Sequence, residues 1–283
     1  MIRTRRYGPV TQIRMARALA GRPLYWTCAY HVDGLLIDTG CRHTAGELVA
    51  ALDGSDLTQL VNTHNHEDHV GGNAAISARF GVRAYIHPLG IDGMRHPDGH
   101  LPFYRRVVWG RPAPYDPQAL GDRIATDRYA FRVLHAPGHS TDQVVLFEER
   151  EGWLFSADLY LGERVKYLRR DERLDDSLES LRRVAALPVG RLFCGLGAVI
   201  DDGGAALSGK LAYWEEVCQR VAELHDAGRS AVGIRRTILG AEGFMRWVSS
   251  GDFAMQYLVD QALSIVAGSS PYGPPGRPGL GDA

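Results

Sequence analysis

Residues able to do chemistry concentrate at Thr63-His64-Asn65-His66-Glu67-Asp68-His69. Three of the chain's eleven histidines and two carboxylates fall between positions 64 and 69. Neutral imidazole and carboxylate oxygen are both good ligands for zinc. The segment follows 57–63, read as a buried strand, and precedes a helix expected over 72–80. At such a strand end a loop can aim several side chains at one point while the sheet holds them rigidly. A solvated, histidine-rich turn is the plain alternative. The cost of leaving so many polar groups unsatisfied at a buried strand end favours the ligand reading.

The elements that must position this loop can be read on either side of it. Residues 25–32 are aromatic and β-branched, Asp33-Gly34 supplies a hairpin turn, and 35–37 resumes the strand. A helix over about 45–52 is closed by Asp53-Gly54, and 82–86 forms another strand. Strand, helix and strand in this order indicate layered α/β structure. From 88 to 122 the pattern breaks into prolines and glycines mixed with aromatics, which predicts a lid or an insertion with short helices of its own. Strands return at 131–135, 144–148 and 153–156. An amphipathic helix over 175–187 stops at Pro188, and 192–194 reads as the last core strand. Residues 209–267 are helical in character, and the Gly-, Pro- and Ser-rich tail 269–283 is expected not to pack.

His-x-His-x-Asp-His followed by Val70-Gly-Gly72 resembles the metal-binding signature of the metallo-β-lactamase superfamily. Three further landmarks occur in family order over 37–197. Asp38 matches an early aspartate that supports the metal loop without binding metal. Ala136-Pro-Gly-His139-Ser140 matches the segment bearing the third histidine, and Phe155-Ser-Ala-Asp158 the strand end bearing a bridging aspartate. The resemblance implies an αββα sandwich with metal at one edge. The expected organisation is a sandwich domain over 1–208, a C-terminal helical extension over 209–268 packed on it, and a disordered tail over 269–283. It also implies a first metal site of His64, His66 and His139 with Asp158 shared, and a second of Asp68, His69, Asp158 and one more histidine. That last histidine is missing: Phe193-Cys-Gly-Leu196-Gly197 places leucine where the ligand is expected, and leucine has no lone pair to offer. The second site then binds more weakly, or stays empty and leaves Asp68 as a base, or the protein is silent. Intact ligand types at site one favour catalysis. Cys194 could stand in as a soft ligand, but a buried core thiol is the plainer reading.

The resemblance implies attack of metal-bound hydroxide on the carbonyl of a small-molecule ester, thioester or lactone, as in glyoxalase-II-like thioesterases and lactonases. Bound zinc lowers the pKa of water from 15.7 to about 7, and Asp68 is the candidate to orient the nucleophile or carry its proton. Zinc, one or two ions, is the expected cofactor. Iron is the alternative, in a mononuclear oxygenase resembling the superfamily's persulfide dioxygenases, and a silent binding protein is a third reading. Phe103, Tyr104 and Trp109 are candidates to wall a substrate pocket, and Lys166 to hold an anionic group. The aromatics could equally form the loop's own small core.

Composition narrows the classes. A net charge of −1 gives no general attraction for nucleic acid or anionic lipid. No run approaches a membrane span and no secretory leader is evident, so a cytoplasmic protein is expected. The four cysteines, at 28, 41, 194 and 218, make no Cys-x-x-Cys pair and read as free thiols. A homodimer is the expected assembly only because twofold assemblies are common.

Overall fold

The structure, a computed structural model, describes residues 1–97 and 101–268. The tail 269–283, expected not to pack, lies outside the described residues. Two compact units are present, one of residues 1–165 and 171–212, the other of 166–170 with the chain from 213 onward.

In the first unit two sheets carry the chain. One has seven strands in the order Ile2–Tyr7, Val10–Met15, Thr27–Val32, Leu35–Ile37, Gln59–Val61, Ala84–Ile86 and Gln118–Ala119. Its first four strands pair antiparallel and the rest parallel. The hairpin at Asp33-Gly34 has positive φ at both residues, 48° and 77°, which is what a two-residue turn matched to strand twist requires. The first two parallel pairs need crossovers that the helices Ala45–Ala51 and Asn73–Phe80 supply, and the third is joined by the long connection between 86 and 118. The other sheet runs Arg123–Ala125, Ala130–His135, Val144–Glu148, Trp153–Ala157, Arg191–Cys194 and Val199–Ile200.

Alternation along the strands sends one set of side chains between the sheets and the other outward. Val10, Tyr30, Ile37 and Val61 from the first sheet meet Phe131, Leu146, Phe155 and Phe193 from the second. Phe155 stacks on Phe193 with centroids 4.8 Å apart, and Tyr30 packs edge-on against both. On the outer face Ile13, Leu36 and Leu60 bury against Leu48 and Ile76 of the two crossover helices. The helix Leu174–Ala185 hides Leu174, Leu178, Leu181 and Val184, one stripe at helical spacing, with Asp175 and Asp176 in its first turn and Arg182 and Arg183 in its last. This is the αββα sandwich expected from the sequence.

The elements differ from the sequence reading mainly at their ends. The strand predicted over 25–32 starts at Thr27, and that over 57–63 shortens to Gln59–Val61. The described residues of the loop 88–122 include the short helices Pro88–Gly90, Ile91–Arg95 and Phe103–Val108. The second unit holds the helices Ala231–Ile238, Phe244–Val248 and Met255–Val266, with Leu168–Arg169 paired to Phe253–Ala254. Among the described residues no helix is long and apolar enough to cross a membrane.

Candidate metal centre

The chemistry-bearing side chains stand where strands of both sheets end. Leu35–Ile37 runs into Asp38, Gln59–Val61 into the loop 62–66, Trp153–Ala157 into Asp158, and Arg191–Cys194 into the turn 195–197. Val144 N donates to the Thr63 carbonyl at 2.8 Å and ties the second sheet to the histidine loop of the first.

Two groups of three ligand atoms converge there, His64 with His66 and His139, and His64 with His69 and Asp158, each within 4.8 Å. His66 Nδ1 lies 3.0 Å from His139 Nε2. Asp158 reaches both groups, Oδ1 at 3.4 Å from His69 Nε2 and Oδ2 at 3.4 Å from His139 Nε2. Asp68 falls outside both groups, its Oδ2 3.8 Å from His69 Nε2. A metal-binding imidazole needs its other nitrogen held, and Thr63, Asp38 and Glu172 are placed to do this for three rings. Thr63 Oγ1 lies 3.1 Å from His64 Nδ1, Asp38 Oδ2 2.7 Å from His69 Nδ1, and Glu172 Oε1 2.7 Å from His139 Nδ1. These three rings are thus turned with Nε2 inward, and His66 presents Nδ1. A donor set of imidazole and carboxylate converging in this way fits a divalent ion.

The sequence profile of the metallo-beta-lactamase superfamily matches residues 33–196, more than half of the chain and the whole of this centre. The chain belongs to that superfamily. It is 31% identical over 143 residues to a hydroxyacylglutathione hydrolase of Rhodospirillum rubrum, covering 50% of this chain and 49% of that one. It is 25% identical over 246 residues to an atrochrysone carboxyl ACP thioesterase of Pseudocercospora fijiensis, covering 83% of this chain and 67% of the other. The chain therefore spans about half the length of the first of these relatives. A metallo-beta-lactamase family protein of Thermus thermophilus superposes with a TM-score of 0.68 at 21% identity, over 92% of this chain and 94% of that one.

Within this superfamily frame the supports explain why the loop holds its shape. The Asp38 carboxylate accepts from Thr63 N and Thr63 Oγ1, both at 2.8 Å, as well as facing His69. Asp142 accepts from Asn65 N at 2.8 Å, and Gln143 bridges Ala136 O to Asp158 N. Asp38 and Ala157 both hold φ in the left-handed region, 62° and 47°, a cost of about 1–3 kcal/mol each that recurs at functional sites. Gly195 closes the centre from the other side. A β-carbon there would collide with Asp158 Oδ1 and press on His69, so the turn carrying Leu196 lies directly against the second group of ligands. No residue of that turn belongs to either ligand group. The Cys194 thiol accepts from Ala198 N at 3.2 Å, and burial pushes its pKa up, which matches the core-thiol reading.

Electrostatics describe a site crowded with like charge. Burial pushes Asp68 up to about 6; neighbouring His69 opposes that rise, while Glu67 and Asp158 add to it. For His69 burial works against the charged ring, but Asp38, Asp158 and Asp68 together outweigh it and hold its pKa well above the ordinary value. Convergence of carboxylates and imidazoles under these conditions is the situation a bound cation relieves.

The substrate candidates separate. Trp109 is buried, edge-on to Tyr25 at 5.5 Å and to Tyr104 at 6.3 Å. Phe103 is 74% exposed. Lys166 is exposed and belongs to the second unit. Sequence reasoning missed Tyr25, whose phenol is pushed up by burial and by the carboxylates of Asp158 and Asp68. It read there as strand, whereas the strand starts only at Thr27. Also missed were Glu172, Lys210, and the Glu67–Arg105 pair.

His135 stacks on His87 with centroids 4.2 Å apart and 7° between planes. Burial lowers His87 to about 4, and the nearby His135 ring adds to the effect. Between the ordinary value of 6.5 and about 4 the unfolded chain therefore binds more protons than the folded one at His87. Stability contributed by the neutral ring is complete above 6.5 and declines as pH falls toward 4. In His87→Asn the acid side of a plot of stability against pH is expected to flatten over this window. Identical slopes in urea titrations of the two proteins would refute it.

Proposed function

We propose that the chain is a zinc-dependent hydrolase of a small-molecule thioester, ester or lactone. The observation carrying this reading is Asp158, which reaches both ligand groups with one oxygen each. His64, His66 and His139 would hold one ion with Asp158. Asp68, His69 and Asp158 would offer a second position, weakened because the 195–197 turn contributes no imidazole. A bound divalent ion supplies Lewis acidity and a water of lowered pKa. The protein's own work is to fix that geometry, with Asp38 and Glu172 orienting His69 and His139. Asp68, buried beside His69, is placed to orient a water or carry its proton. Relatives named as a hydroxyacylglutathione hydrolase and an ACP thioesterase support thioesters as the substrate class. With the second position weak, less charge stabilisation reaches the leaving group, so thioesters should react faster than the matching amides.

Elemental analysis of purified protein, with turnover of an acyl thioester and its amide analogue, tests this reading. Near one zinc per chain is expected, rising toward two in Leu196→His, with the thioester cleaved faster. No metal under any loading condition, or preference for the amide, would contradict it. One iron per chain with oxygen uptake on a persulfide would instead support the mononuclear oxygenase.

A further inference from the structure

Lys210 is a fully buried lysine, 2% exposed, on the helix Gly203–Asp226. An ammonium is almost never hidden this completely without a partner that needs it. Its Nζ donates to the carbonyl of Leu159 at 2.6 Å, the residue directly after Asp158. The Tyr160 ring lies 5.9 Å from Nζ, so the strand end 158–160 wraps the amine. Burial pushes Lys210 down to about 8, and the carboxylates of Glu172 and, less strongly, Asp158 act against that fall. Glu172 in turn lies 2.7 Å from His139 Nδ1 and is itself only 8% exposed.

We propose that Lys210 is the internal counter-cation of the metal centre, a positioning residue that serves two ligands at once. Its N–H fixes the main chain beside Asp158. Its charge balances the Glu172 carboxylate, which orients His139 and raises the basicity of that imidazole through the Nδ1 hydrogen bond. A buried carboxylate that must stay ionised beside a ligand histidine is otherwise expensive, and a fixed ammonium removes the expense without a solvent path. The position also explains why a lysine interrupts an apolar stripe. Leu207, Lys210, Trp214, Val217 and Val221 follow helical spacing and all are buried. The inference rests on the metal-binding reading of the site and concerns how the chain tunes it.

The test is cobalt(II) affinity by chelator competition, with the visible spectrum of the cobalt protein and the melting temperature of the metal-free protein. Lys210→Met is expected to bind cobalt about tenfold or more weakly, as loss of outer partners of metal ligands commonly does, with an altered spectrum. Glu172→Gln should do the same, and the double variant should lose no more than the worse single one. Should Lys210→Met fail to fold, Lys210→Gln keeps an N–H donor, drops the charge and is read in the same way. Unchanged affinity and spectrum in a folded Lys210 variant overturns the inference, as do losses that multiply in the double variant. Failure of the wild-type protein to bind cobalt overturns the metal reading itself and this inference with it.

Discussion

Alanine at His64 is expected to lower kcat/KM toward a thioester by about a thousandfold, with parallel loss of tightly held metal. His64 is the ring common to both ligand groups, so its loss takes a ligand atom from each. It is fully buried, and its ring lies 4.0 Å from His69, 4.4 Å from His66 and 5.1 Å from His139, centroid to centroid. Lewis-acid help supplies several kcal/mol of transition-state stabilisation, and about 4 kcal/mol corresponds to the thousandfold loss. The fold itself should survive. Elemental analysis, thermal melts and kinetics on the same preparations separate these effects. Full activity with metal still bound in His64→Ala would mean that the catalytic centre lies elsewhere.

Much of the candidate centre is legible in the sequence. Residues 64–69 declare themselves by density of type, and Asp38, His139 and Asp158 through the family resemblance that their flanking residues carry. The sandwich was equally readable, since runs such as Val144–Glu148, buried at every position, and the period of 174–185 leave few alternatives. Supports declare themselves poorly. Glu172 sits in an acidic and basic stretch, Asp171-Glu-Arg-Leu-Asp-Asp176, where nothing distinguishes the residue that turns inward to His139. Lys210 did leave a trace, a charge in the middle of an apolar helical stripe, which is visible only once the stripe is aligned. Tyr25 left none, because 25–32 reads as one strand while the strand begins only at Thr27.

Glu67 shows the same limit and supports the second large effect. Between two ligands of the signature it reads as one more acidic residue, yet it belongs to neither ligand group. It accepts from Arg105 Nε and from the terminal nitrogen Nη2 of the same guanidinium, both at 2.6 Å. Both side chains are nearly hidden, 4% exposed for Glu67 and 11% for Arg105. A bidentate, desolvated pair of this kind adds little net stability when intact but leaves an uncompensated charge when halved. Arg105→Ala is therefore expected to cost about 3 kcal/mol in urea unfolding, far more than substitution of a surface arginine. A double variant, Arg105→Met with Glu67→Gln, should recover most of that loss because no buried charge remains. The pair also tethers the helix Phe103–Val108 to the histidine loop, and His43 Nε2, 3.3 Å from the Arg106 carbonyl, ties the same helix to the turn 42–44. Losing Arg105 should then loosen the Tyr25–Trp109 contact beside the centre and raise KM more than it lowers kcat. A cost below about 1 kcal/mol, or a double variant no more stable than Arg105→Ala, would show that water already compensates Glu67 and that the tether carries no weight.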